Sequence, residues 1–150
     1  MPKATKSKQP PSSQNKHQIR FLTLFDVDVY VNEPDSEEEY RLTYDVYISN
    51  LQELTDGLFG FTCHVAVGKK HTENEESFIQ ISAAYACSVF SEGGSLESIE
   101  TVAKGYAGTI VWSQFTSLFG LLSHQMRIEF PPLPVTPSGV EIRQDEEASS

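Results

Sequence analysis

The chain has 150 residues and a mass of 16.7 kDa, enough for a single domain with one hydrophobic core. Its 11 Lys+Arg against 21 Asp+Glu leave a net charge of −10. That balance argues against a duplex nucleic-acid binder, because every phosphate contact would oppose the overall field.

The longest apolar stretches, at 79–89 and 110–122, carry polar interruptions. They fall short of the roughly 20 apolar residues that span a bilayer, so no membrane insertion is expected. The basic start from Met1 to Lys8 has no apolar run behind it, unlike a secretory signal. Two cysteines do not make a disulfide scaffold, and the expected location is cytoplasmic.

Residues 1–17 contain Lys3, Lys6, Lys8 and Lys16 among Pro2, Pro10, Pro11, Ser12 and Ser13. So little apolar surface cannot offset the entropy of ordering, which predicts a disordered basic tail over 1–17. The polar, acidic end at 143–150 reads as a second tail. A single folded domain is expected over 18–142.

From Ile19 to Val31, apolar and polar residues alternate with the period of a half-buried strand. Phe21, Phe25, Val27, Val29 and Val31 share one predicted face, and Asp26, Asp28 and Tyr30 the other. A turn with a charge run follows at 32–39. The second strand, from Tyr40 to about Leu51, sets Tyr40, Leu42, Tyr44, Val46 and Ile48 on one side and Asp45 among the polar residues of the other. The third strand carries Phe59, Phe61, Cys63, Val65 and Val67 inward. A polar hairpin loop covers 68–76, and the fourth strand runs through Ile79, Ile81, Ala83, Tyr85, Cys87 and Val89. Four strands joined by polar turns predict an antiparallel meander with one wet face.

The period changes after Gly93-Gly94. Ser95 is the expected N-cap, with Glu97 and Glu100 suited to the positive end of the helix dipole. Gly105 and Gly108 are expected to break or loosen this helix. Beyond them Ile110, Val111, Trp112, Phe115, Leu118, Phe119, Leu122 and Met126 recur at steps of three and four. The helix should stop before Phe130-Pro131-Pro132-Leu133. The predicted class is therefore α+β: four strands, then one long interrupted helix packed on the sheet.

No residue set points to catalysis. His17, His64, His71 and His124 are scattered without metal-ligand spacing, and no phosphate loop or nucleophile elbow occurs. No metal and no cofactor is expected. With the hairpin turning near Thr72, Cys63 and Cys87 should lie about 15 Å apart along the ladder, too far to bridge. Aromatic residues are in surplus for one helix and one sheet, so a second copy or an apolar ligand is expected to cover them.

In these features the chain resembles the SecB-type protein-export chaperones. The resemblance is carried by the strand 19–31 with Asp26, the four strands, the Gly93-Gly94 turn into a long helix, and the exit Phe130-Pro131-Pro132-Leu133. It spans about residues 18–137. Where family members have an aromatic-Pro-Tyr-x-Arg run, this chain reads Trp112-Ser113-Gln114-Phe115-Thr116. It also offers no second amphipathic helix after the prolines. It is thus more similar to shortened SecB-like proteins associated with toxin–antitoxin systems.

The resemblance implies an ATP-independent holdase, a dimer of dimers that wraps unfolded or preprotein polypeptides in apolar grooves. Its implied partners are unfolded clients and either the export ATPase or an antitoxin. On this reading the groove is lined by Tyr40, Leu42 and Tyr44, by Trp112, Phe115 and Phe119, and by Phe130 and Leu133. Asp26, Asp28 and Asp45 form a docking surface on the wet sheet face. The competing reading is a hot-dog-type acyl thioesterase. It would need an acid on or near the helix, and none lies between Ala107 and Arg127.

Overall fold

A computed structural model of the chain describes residues 17–32, 39–72 and 77–143. The basic leader before His17, most of the charge run at 32–39, the tip of the 68–76 loop and the acidic end from Gln144 lie outside the described residues. The elements are β1 (His17–Val31), β2 (Tyr40–Thr55), β3 (Leu58–His71), β4 (Ser77–Ser91), α1 (Leu96–Tyr106), a π-helical turn (Ala107–Val111), α2 (Trp112–Met126) and a short β5 (Glu141–Ile142). The class is α+β, one sheet carrying one long helix.

Strand order is β1-β4-β3-β2-β5. The segments β2, β3 and β4 form the expected meander, but β1 lies antiparallel to β4 rather than beside β2. Connection length explains the difference. Between β2 and β3 the turn Asp56-Gly57, with Gly57 at φ +82°, is so tight that its flanking strands must pair. The interval from Val31 to Tyr40 can reach across two intervening strands, a step of roughly 14 Å at sheet spacing. At the far edge β5 pairs in parallel with Tyr47 and Ile48 of β2, so the sheet is not purely antiparallel.

Two β-bulges in β1 break its alternation. The register against β4 slips between Ile19 and Phe21 and again between Leu24 and Asp26. Each slip moves the following side chains to the opposite face. Leu22, Leu24, Val27, Val29 and Val31 therefore sit opposite the helix-facing Cys87, Tyr85, Ala83, Ile81 and Ile79. Phe21 sits opposite Ser88 on the outer face with Asp26 and Asp28. The shared face expected for Phe21 and Val27 does not form.

Ser95 caps α1 as expected, accepting from the Ser98 N–H while the Ser98 hydroxyl meets the Ser95 N–H in a capping box. The helix then runs on to Met126 without a break; the expected interruption is the π turn. Ile99, Ala103, Ala107, Val111, Phe115 and Phe119 are all buried and lie four residues apart. In a straight α-helix such a row drifts by about 40° at each step. The wider π turn takes up part of that drift and keeps the row on the sheet. Arg127, in the left-handed region at φ 60°, ends α2 three residues before Phe130.

The core fills the space between this row and the inner faces of β2, β3 and β4. Trp112 and Phe115 are fully buried within it. Cys63 pairs with Tyr85, and Cys87 with Phe61, so the thiols are diagonal neighbours rather than far apart on the ladder; both are free. Burial pushes the Cys63 thiol well above its ordinary range, and the Cys87 thiol and the Tyr85 hydroxyl up to about 12. All three are protonated at neutral pH, which removes them as nucleophiles.

Candidate functional site

After Arg127 the chain turns back and runs along α2 towards the π turn. Three contacts hold it there. Lys69 Nζ donates to the Glu129 carbonyl at 2.7 Å. The Phe130 ring meets Phe119 edge-on at 4.6 Å. Trp112 Nε1 donates to the Pro134 carbonyl at 2.9 Å. The prolines at 131, 132 and 134 keep this exit segment extended, with few backbone donors to satisfy.

Between the exit segment and the outward side of α2 lies an open groove of about 830 Å³. Its helical wall is a stripe of small residues, Thr109, Ser113, Thr116, Gly120 and Ser123; its other wall is the chain from Ile128 to Thr136, with Phe119 at its base. The Thr109, Thr116 and Ser123 hydroxyls donate back to helix carbonyls and so present oxygen acceptors outward. From Thr109 to His124 the helix rises about 22 Å, the length of six or seven extended residues. The π turn forms one end of this groove, in keeping with the frequent use of such turns at functional sites.

Lys69 is only 2% exposed. Its ammonium lies 4.7 Å from the Tyr40 ring and 4.8 Å from the Phe130 ring, so two aromatic faces and a carbonyl replace its water. Sequence reasoning assigned it to a polar loop. The alternation already held the signal, since Phe61, Cys63, Val65, Val67 and Lys69 share one parity and hence one face. The small-residue stripe was also missed; it occupies the helix face opposite the apolar row.

The residues expected to line a groove are divided between two places. Phe130, Leu133 and the edge of Phe119 border the groove. Trp112 and Phe115 pack on the sheet with no exposed surface. On β2, Tyr44 meets Trp112 edge-on at 6.3 Å, Tyr40 lies beneath Lys69, and Leu42 is half-buried. The aromatic surplus attributed to the helix is thus largely absorbed by the sheet. Exposed apolar surface is concentrated instead on β1, where Phe21 is 50% and Phe25 57% exposed and Leu24, Val27, Val29, Tyr30 and Val31 are also open.

Asp26, Asp28 and Asp45 are exposed on the outer sheet face, as expected. Asp28, Ser82, Ala66 and Asp45 share one rung, which sets the two carboxylates roughly 14 Å apart rather than side by side. Asp45 is engaged: Arg143 donates to both its oxygens, at 2.9 and 3.3 Å. The Arg143 guanidinium covers the Tyr47 ring at 4.0 Å, Tyr47 stacks on His64 at 4.4 Å, and Ser49 Oγ lies 3.0 Å from His64 Nε2. This stack fastens β5 to β2.

Among the described residues no helix is long and apolar enough to cross a membrane. Among them, too, no group of three or more His, Cys, Asp or Glu is placed to hold a metal ion.

No protein-family model matches the chain, and no curated protein does. Solved structures do match. One is the Mycobacterium tuberculosis Rv1957 SecB-like chaperone in complex with a ChAD peptide from the Rv1956 HigA1 antitoxin. It is 14% identical, with a TM-score of 0.56 over 81% of this chain and 88% of that one. At that identity the likeness speaks for the fold, and the fold is SecB-like.

Proposed function

We propose that the chain is an ATP-independent chaperone that holds short extended segments of unfolded polypeptide in the groove between α2 and the exit segment. The observation that carries this reading is the groove itself. It is open, about 22 Å long, apolar at Phe119, Phe130 and Leu133, and lined with oxygen acceptors along the small-residue stripe. An extended peptide needs that combination: apolar contact for alternate side chains and polar partners for its backbone N–H groups.

The SecB-like fold supports the same reading. The solved neighbour was captured with an antitoxin peptide, which makes a dedicated partner of that kind the client to try first, ahead of preproteins bound for the export ATPase. The two unpaired cysteines suit a reducing, cytoplasmic compartment.

Gly120 provides the test. A Cβ built there meets nothing within 4 Å, and replacing a helical glycine favours the helix. Gly120→Phe should therefore fold normally while filling the groove. In a light-scattering assay without ATP, the wild-type protein is expected to suppress aggregation of a denatured client, and Gly120→Phe to lose most of that effect. Gly105, which also has open space but does not line the groove, supplies the control as Gly105→Phe. Equal protection by both variants would reject the groove as the client site.

A further inference from the structure

We infer that residues 140–143 are an intramolecular cover over the β2 edge, and that an extended peptide of matching chemistry, apolar-x-apolar-basic, takes their place when the cover lifts. This goes beyond the chaperone reading and does not rest on it, since no residue of β2 lines the groove.

Strand β2 has 16 residues. On one side it pairs with β3 from Tyr40 to Thr55. On the other, among the described residues, only Tyr47 and Ile48 have a strand partner, in β5. The Arg143 N–H adds one bond, to the Ile48 carbonyl at 2.8 Å. An edge of this kind accepts an added strand, whose backbone supplies affinity and whose alternate side chains supply specificity.

The segment seated there identifies the occupant. Val140 and Ile142 are partly buried against the core, and Val140 Cγ2 passes 3.6 Å from where a Cβ would stand at Gly108 of the π turn. Arg143 turns outward, donates to both oxygens of Asp45 and covers the Tyr47 ring. Two apolar seats at strand spacing, with an acidic clasp beside the second, read apolar-x-apolar-basic. The cover is also lightly held. It has two ladder positions in the parallel arrangement, which is the weaker one per residue. Its clasp is open to water, with the Arg143 side chain 43% and the Asp45 side chain 49% exposed, and an ion pair so exposed adds little. Glu141 of the same strand draws on the same guanidinium at 3.0 Å. A longer strand supplied in trans gains more ladder positions than the cover loses, while the closed fraction lowers its apparent affinity in proportion. On these terms the cover is an autoinhibitory contact.

A competing role for β5 is a fixed edge guard that no peptide displaces. Fluorescence anisotropy separates the two, with the full chain titrated into a labelled peptide Pro-Ser-Gly-Val-Glu-Ile-Arg that copies residues 137–143. The wild type is expected to bind it weakly, because its own segment holds the edge. Arg143→Glu sets like charges against each other in the exposed clasp, which lifts the cover without unfolding the domain. It should bind the peptide about tenfold tighter or better. Adding Asp45→Arg restores opposite charges within the chain and opposes the arginine of the peptide, so binding should fall back to the wild-type level or below. In amide-resolved NMR of Arg143→Glu, the peptide should shift Tyr47 and Ile48 and leave Thr116 and Gly120 in place. No binding by Arg143→Glu, or equal binding by it and the wild type, would overturn the proposal in favour of a fixed guard. Shifts confined to Thr116 and Gly120 would overturn it by moving the peptide to the groove. A change in sedimentation on Arg143→Glu, without peptide, would assign the edge to the same segment of a second copy and overturn it as well.

Discussion

Strands β1 and β4 lie side by side with the same length and a similar share of apolar residues, yet they have opposite fates. β4 is buried along almost its whole length, whereas β1 is exposed along most of its own. The rung shared by Val29 and Ile81 shows the contrast most simply: Ile81 has no exposed surface, and Val29 is 38% exposed. The two side chains occupy the same face in the same register. What differs is that β4 has a neighbour on each side, and β3 lies between it and β2. A strand's composition makes burial worthwhile, but its place in the sheet decides whether burial happens.

The comparison can be tested by substitution, beginning with the largest expected effect. Ile81→Ala should destabilise the fold by about 2–5 kcal/mol, the range for deleting a buried aliphatic side chain, as measured by urea denaturation. Lys69→Met should be milder. Taking away the charged donor strands the carbonyl it served, a loss of about 1–3 kcal/mol. The lost bond is the one to Glu129, so amide exchange at Phe130 and Leu133 should also speed up relative to the sheet. Val29→Ala should be smallest, below about 1 kcal/mol by the same urea measurement at concentrations too low for self-association. A Val29→Ala cost equal to that of Ile81→Ala would mean that β1 is covered within the single chain.

The inner faces of β2, β3 and β4, the Ser95 cap and the helix end before the prolines were legible in the sequence. Each depends on local periodicity or on one residue's backbone chemistry. Strand order was not legible, because alternation says which side chains share a face and nothing about which strand lies beside which. The bulges at Arg20 and Phe25 were hidden for a related reason: a slip of one residue looks the same in sequence as a small irregularity in alternation. Trp112 and Phe115 carried the expected helical spacing, yet spacing does not say whether an aromatic row meets a sheet or a client. Lys69 could have been placed by parity. It was missed because lysine in a charged stretch suggests water, whereas here two aromatic rings and a carbonyl surround it.

The groove between α2 and the exit segment is the centre of the functional account, and position-specific photo-cross-linking tests it most directly. A photoreactive side chain at Thr116 lies on the groove wall; one at Thr62 lies on the outer sheet face, opposite Ala86. Each variant is mixed with an unfolded client in the absence of ATP and illuminated. Capture of the client from Thr116 and not from Thr62 is the predicted result. Capture from Thr62 with Thr116 silent would contradict the account and move the client to another surface.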